Sequence, residues 1–201
     1  MFQIQILTLG DYQTNCYIIK HKRSKTCCVI DPGSDAQTIL DILRDMKLTL
    51  EAILLTHAHF DHVGAVKELA AEADCAVYLC PDDLSMPPAF TAGPLYYTHT
   101  YKEGDILHLA GLEFHVMHTP GHTPGSVCLI ADDALFTGDT LFAGSCGRTD
   151  LPGGSAEQIC ASLARLASLE RDYYIYPGHG CNTTLAEEKQ HNPYLKLRDP
   201  E

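Results

Sequence analysis

The sequence predicts an α/β protein in which two mixed β-sheets pack together under covering helices, with all 201 residues in one domain. Three observations predict it. Short apolar or β-branched runs come in groups, and helical stretches fall between the groups instead of alternating strictly with single strands. Hydrophobic residues at 45% and charged residues at 20% are ordinary globular values, which excludes disordered and fibrous classes. The histidine-rich segments follow directly on apolar runs, so several strand ends would deliver side chains to one edge of the sandwich.

Along the chain, Phe2 to Leu9, Asn15 to Lys20 and Thr26 to Asp31 read as strands separated by turn residues. Asp31-Pro32-Gly33 closes the third, and Ser34 or Asp35 is expected to cap a helix over 36–46, with Ile39, Leu40, Ile42 and Leu43 on its buried stripe. The run Ala52 to Leu55 is a strand that leads straight into Thr56-His57-Ala58-His59-Phe60-Asp61-His62, after which Val63 to Glu72 reads as a helix and Ala76 to Leu79 as a strand. Residues 81–101 hold four prolines and no period, which predicts a surface excursion over the site. Strands resume at Ile106 to Leu109, Leu112 to His118, Ser126 to Ile130 and Ala134 to Thr137. A helix over 156–169, a strand from Tyr173 to Tyr176, the loop Pro177-Gly178-His179-Gly180 and a polar C-terminal helix complete the chain.

The formal net charge of -12 argues against a nucleic-acid partner, because an acidic body repels phosphate backbones at long range. No apolar run approaches the ~20 residues of a membrane span. The N-terminus lacks the cationic stretch and cleavage site of a signal peptide, so the nine cysteines read as reduced thiols in a cytoplasmic protein.

His-x-His-x-Asp-His at 57–62 is the strongest chemical signal. In extended backbone, residues two apart share a side, so His57 and His59 can hold one cation together. Asp61 and His62 lie where the chain turns into a helix and point elsewhere. Four donors in six residues crowd one ion and suit two, with Gly64 allowing close backbone packing behind them. Three further segments carry the same character: His122 between two Pro-Gly pairs, Asp139 just past an apolar strand with Gly138 permitting a tight exit, and His179 after Tyr176-Pro-Gly. Imidazole and carboxylate donors suit zinc, iron or manganese alike.

The segments T-H-A-H-F-D-H, P-G-H-T-P-G-S, F-T-G-D and P-G-H, spanning 56 to 179, resemble the motif pattern of the metallo-β-lactamase superfamily. The resemblance implies a four-layer αββα sandwich with two divalent metal ions at one edge, zinc foremost and iron or manganese as the other choices. It implies His57, His59 and His122 on the first ion, Asp61, His62 and His179 on the second, and Asp139 bridging. The stretch from Gly138 to Gly154 is similar to the small glyoxalase II-like hydrolases, and its Gly147-Arg148-Thr149-Asp150 is shared with persulfide dioxygenases of the same fold. The implied activity is cleavage of a small-molecule thioester, such as a hydroxyacyl-glutathione of the S-lactoylglutathione kind, by hydroxide shared between the metals. Asp61 and Asp139 then set geometry and charge. The alternative is a mononuclear Fe(II) persulfide dioxygenase using His57, His59, His122 and Asp139. Full-length glyoxalase II carries a C-terminal helical domain that grips glutathione; 22 residues follow His179, so none is expected here, and Cys181 stands where that family has a tyrosine.

Arg148 is a candidate substrate contact, since a guanidinium suits a carboxylate, the bland reading being a pair with Asp150. Asp31 reads as a strand terminator, with orientation of a ligand histidine as its other role. His99, His108, His115, His118 and His191 lack matching partners and read as structural.

Overall fold

The computed structural model describes residues 1–196. Strands β1 (Phe2–Leu9), β2 (Thr14–His21) and β3 (Thr26–Ile30) form an antiparallel meander. Helix α1 (Ala36–Asp45) crosses over to β4 (Thr49–Leu54), which pairs parallel to β3. Helices α2 (Phe60–Val63) and α3 (Val66–Ala73) lead to β5 (Ala76–Leu79), and β6 (His99–Thr100) adds a short parallel edge. The first sheet therefore runs in the order β1-β2-β3-β4-β5-β6.

A second meander follows in β7 (Ile106–Leu109), β8 (Leu112–His118), β9 (Val127–Ala131) and β10 (Ala134–Gly138). The hairpin β11 (Leu141–Phe142) and β12 (Ser145–Cys146) leads into α4 (Ala156–Ala167). Strand β13 (Tyr174–Pro177) returns parallel to β10 and pairs with β14 (Thr183–Thr184), and α5 (Leu185–His191) and α6 (Pro193–Lys196) close the described chain. The second sheet has the order β14-β13-β10-β9-β8-β7.

Period-two alternation builds the layers. In β3, Cys27 and Val29 face a cluster that holds Ile39 and Leu43 of α1 and Leu69 of α3. Cys28 and Ile30 face the opposite way, into a cluster with Phe114, Leu129 and Phe136 of the second sheet. On that sheet's outer face Leu135 and Ile175 pack against Ile159, Leu163 and Leu166 of α4 and Leu185 of α5. The result is the expected αββα sandwich. Each fully buried Leu or Ile contributes about 1.5–3 kcal/mol, so all three interfaces are strongly held. Burial pushes the thiols of Cys27 and Cys128 up to about 12, leaving them protonated packing groups. Among the described residues, no helix is long and apolar enough to cross a membrane.

Three local expectations are corrected. Asp35 precedes α1 in the left-handed region (φ 57) and makes no capping bond, its carboxylate meeting the Ser34 hydroxyl instead. The helix expected over 63–72 begins at Phe60 and breaks at Gly64-Ala65, where the Ala65 amide leaves the helical ladder to bond Pro32 O at 3.0 Å. A Cβ on Gly64 would stand 2.3 Å from Gly33 O, so the close packing expected there is present. Residues 81–101 are not a mere surface excursion: Asp83, Met86, Thr91 and Tyr101 are buried, and the Tyr101 hydroxyl donates to Leu55 O.

Candidate metal centre

Five strands end at one edge of the sandwich with their C-termini together. β4 runs into the loop with His57 and His59, and α2 presents Asp61 and His62. The loop after β8 carries His122, β10 ends beside Asp139, β13 ends beside His179, and β3 ends at Asp31. The topology thus brings all seven predicted donors to one place, from sequence positions up to 122 apart.

Within it, donor atoms of His57, His59 and His122 lie within 4.8 Å of one another, and so do those of Asp61, His62 and His179. His59 Nδ1 and His122 Nε2 are 2.8 Å apart. Asp139 faces both groups: its Oδ2 is 3.4 Å from His122 Nε2 and 3.6 Å from His179 Nε2, while Oδ1 is 3.4 Å from His62 Nε2. Asp61 Oδ2 lies 3.2 Å from His179 Nε2 and 3.7 Å from His62 Nε2.

Most of the outer ring nitrogens are tied back. His122 Nδ1 bonds Arg148 O at 2.8 Å, His179 Nδ1 approaches Tyr12 O at 3.2 Å, and His57 Nδ1 lies 3.2 Å from the Thr56 hydroxyl. His62 Nδ1 lies 2.9 Å from Asp31 Oδ2. Such ties fix which nitrogen points inward. The atoms His57 Nε2, His59 Nε2, His62 Nε2 and Asp139 Oδ1 are buried without a hydrogen-bond partner. Unpaired buried donors and acceptors are costly, and four of them on the converging residues fit a site that cations complete.

The electrostatics agree. Burial, followed by the neighbouring imidazoles, lowers His57 and takes His59 down to about 4, so both are neutral and ready as ligands. Burial opposes charge on His62, yet Asp139 and Asp31 lift it well above the usual histidine range. His179 is likewise opposed by burial and raised by its bond to Asp61 and by Asp139. Three carboxylates in this pocket therefore draw positive charge, which divalent cations supply more fully than protons.

Asp31 ends β3 as expected, and its carboxylate also bonds within the site. It has positive φ (52), and its carboxylate accepts from Thr56 N at 2.8 Å and Thr56 Oγ1 at 2.5 Å while facing His62. Arg148 is exposed and grips Asp150 with two bonds of 2.7 Å; it reaches the centre through its backbone carbonyl on His122. The five histidines read as structural lie outside the cluster: His115 and His108 approach Glu113, His118 bonds Pro124 O, His99 stacks on Tyr78, and His191 faces Glu187. Sequence reasoning missed Thr14, whose hydroxyl donates to Asp61 Oδ2 at 3.0 Å, and the buried Asp83. Thr14 opens a strand and Asp83 sits in an aperiodic turn, so only tertiary contacts reveal them. The left-handed Gly138 (φ 47) makes the tight exit expected of it, and a Cβ there would strike Thr56 Oγ1 at 2.3 Å.

Comparison with known proteins is consistent with this geometry. A family model described as the metallo-beta-lactamase superfamily matches residues 9–179. A hydroxyacylglutathione hydrolase of Haemophilus influenzae, GloC, is 35% identical over 97% of this chain and 99% of its own length. Among solved structures, the BLEG-1 B3 metallo-beta-lactamase is 36% identical with a TM-score of 0.89, covering 98% of this chain and 100% of its own. TTHA1623, solved in a di-iron-bound form, is 39% identical with a TM-score of 0.85, covering 94% of this chain and 99% of its own.

Proposed function

The chain belongs to the metallo-beta-lactamase superfamily, and we propose that it is a two-metal hydrolase of small thioesters of the hydroxyacyl-glutathione kind. The observation that carries this is the convergence of two donor clusters on Asp139, with buried polar atoms left unpartnered. His57, His59 and His122 would hold one cation, Asp61, His62 and His179 the other, and Asp139 both. Zinc suits these donors, and so do iron and manganese; the di-iron likeness supports iron as an acceptable occupant. When bound, such a pair would make hydroxide available from water at neutral pH and would polarise a thioester carbonyl.

The chain's own residues do the rest. Asp61, fixed by the Thr14 hydroxyl, and Asp139 hold their charges in place and balance that of the cations. His57 and His59 arrive neutral, so no proton has to be displaced from them. The departing thiolate is stable at neutral pH, so no side chain has to act as a strong acid toward it. Two hollows flank Tyr12 where a substrate would lie. One of about 210 Å³ reaches Asp61 between Tyr12 and Phe60, whose rings meet edge-on at 4.9 Å. The other, of about 440 Å³, opens beside His179, Asn15 and Cys181. We read residues 1–201 as one such domain in a cytoplasmic protein; the net charge of -12 favours small molecules over nucleic acid as its substrate.

The dioxygenase reading would need His57, His59, His122 and Asp139 alone. The carboxylate-tied second cluster, with His62 buried, favours two metals. β-Lactams are the competing substrates raised by the B3 likeness.

The test is turnover of S-lactoylglutathione against a chromogenic cephalosporin. We expect thioester cleavage to dominate, with a KM well above the low micromolar range, since Arg148, whose carbonyl meets His122, already has its guanidinium paired with Asp150. Arg148→Ala should raise KM about fivefold at constant kcat, which corresponds to ~1 kcal/mol. A low-micromolar KM that Arg148→Ala leaves unchanged would show that the carrier is gripped elsewhere, and cephalosporin turnover exceeding thioester turnover would replace the substrate class.

A further inference from the structure

Among the described residues Asp83 hydrogen-bonds none of the seven candidate metal donors, yet it is completely buried, at 0% exposure. It lies in the 3₁₀ turn Pro81–Ser85 just after β5. Its Oδ2 accepts from the Ala58 amide at 2.9 Å, the residue between His57 and His59. The same oxygen accepts from the Thr123 hydroxyl at 3.0 Å, next to His122. Its Oδ1 accepts from the Gly125 amide at 2.6 Å. One carboxylate thus ties together the two loops that carry His57, His59 and His122, and none of these bonds goes to Asp61, His62 or His179.

The space around Gly125 is an independent sign of the same fit. A Cβ there would stand 2.7 Å from Asp83 Cγ and Oδ1 and 2.8 Å from Asp83 N. Glycine in the Thr-Pro-Gly-Ser turn is therefore what lets the carboxylate reach both loops.

We propose that Asp83 is the positioning residue of the three-histidine half of the centre: it sets the separation of the two loops so that His57, His59 and His122 hold one cation. This rests on the metal reading given under Proposed function. The chemistry demands a carboxylate. Two amide N–H groups and one hydroxyl converge on Asp83, and a carboxylate accepts from all three with both oxygens. Asparagine would keep one acceptor and turn an NH2 toward a second donor, so one loop would come loose. Loss of such an outer tie costs typically about 10–100-fold in metal affinity. A carboxylate that merely completes its own turn would have no such preference for one half of the centre.

The experiment loads wild-type protein and the variants Asp83→Asn, Gly125→Ala and Thr123→Val with zinc and follows release to a chromogenic chelator, with circular dichroism reporting the fold. In Asp83→Asn one of the two zincs should leave about 10–100 times faster than in wild type, the other at its normal rate. Gly125→Ala, which displaces the carboxylate without removing it, should change the same phase. Thr123→Val, which removes one of three bonds, should change it a few-fold. If Asp83→Asn does not fold, the other two variants carry the test. In a His122→Ala background, where the three-histidine half is already broken, Asp83→Asn should have no further effect. Unchanged release in the folded variants, or equal acceleration of both zincs, would overturn the assignment while leaving the metal reading intact. A wild-type chain that retains no zinc, iron or manganese would overturn the metal reading and this assignment together.

Discussion

Asp139→Ala is expected to lose most of its bound metal and to cut thioester turnover by about a thousandfold or more, a loss of roughly 4 kcal/mol in transition-state stabilisation. Asp139 faces both donor groups, with one oxygen toward His62 and the other toward His122 and His179. Its Oδ1 has no hydrogen-bond partner in the protein, so the protein's own packing asks nothing of that oxygen. The fold should therefore survive, because β10 stays paired with β9 and β13 through its backbone. Metal analysis beside a thermal melt checks this. A variant with wild-type metal content and turnover would contradict the bridging role.

Asp31→Ala should strike stability as well as activity. The carboxylate is 1% exposed and serves the Thr56 amide, the Thr56 hydroxyl and His62 Nδ1 together. Its removal strands the buried Thr56 amide and hydroxyl and an imidazole that the pocket's charge favours as a cation. Breaking one side of such a buried arrangement costs about 3–5 kcal/mol, a large share of the 5–15 kcal/mol that holds a domain together. Thr56→Val removes only the hydroxyl and should cost about 1 kcal/mol. Denaturant unfolding of both metal-free variants measures the difference. Equal, small losses would return Asp31 to the role of a simple strand terminator.

How much of this was legible in the sequence depends on whether a residue's role is local. The convergence of the seven candidate donors was legible because they stand in short motifs just after apolar runs, a pattern within a few residues. The four layers were visible for the same reason, as alternation in β3 or the stripe on α1 is a local rule. Asp83 was hidden because its three partners lie 25 to 42 residues away and its own turn has no period. The break at Gly64-Ala65 was hidden because Pro32, from another loop, takes the amide that a continuous helix would use. Asp31 was read locally as a turn former, and its positive φ agrees with a turn, but its carboxylate is spent on Thr56 and His62.

The most direct test is metal stoichiometry and oxygen use measured together on protein from its native host. The donors of Asp61, His62 and His179 lie as close together as those of His57, His59 and His122, and Asp139 stands between the two groups. Two cations per chain, thioester cleavage undiminished without oxygen, and no oxygen uptake with glutathione persulfide are the expected result. One iron per chain with persulfide-dependent oxygen consumption would contradict it.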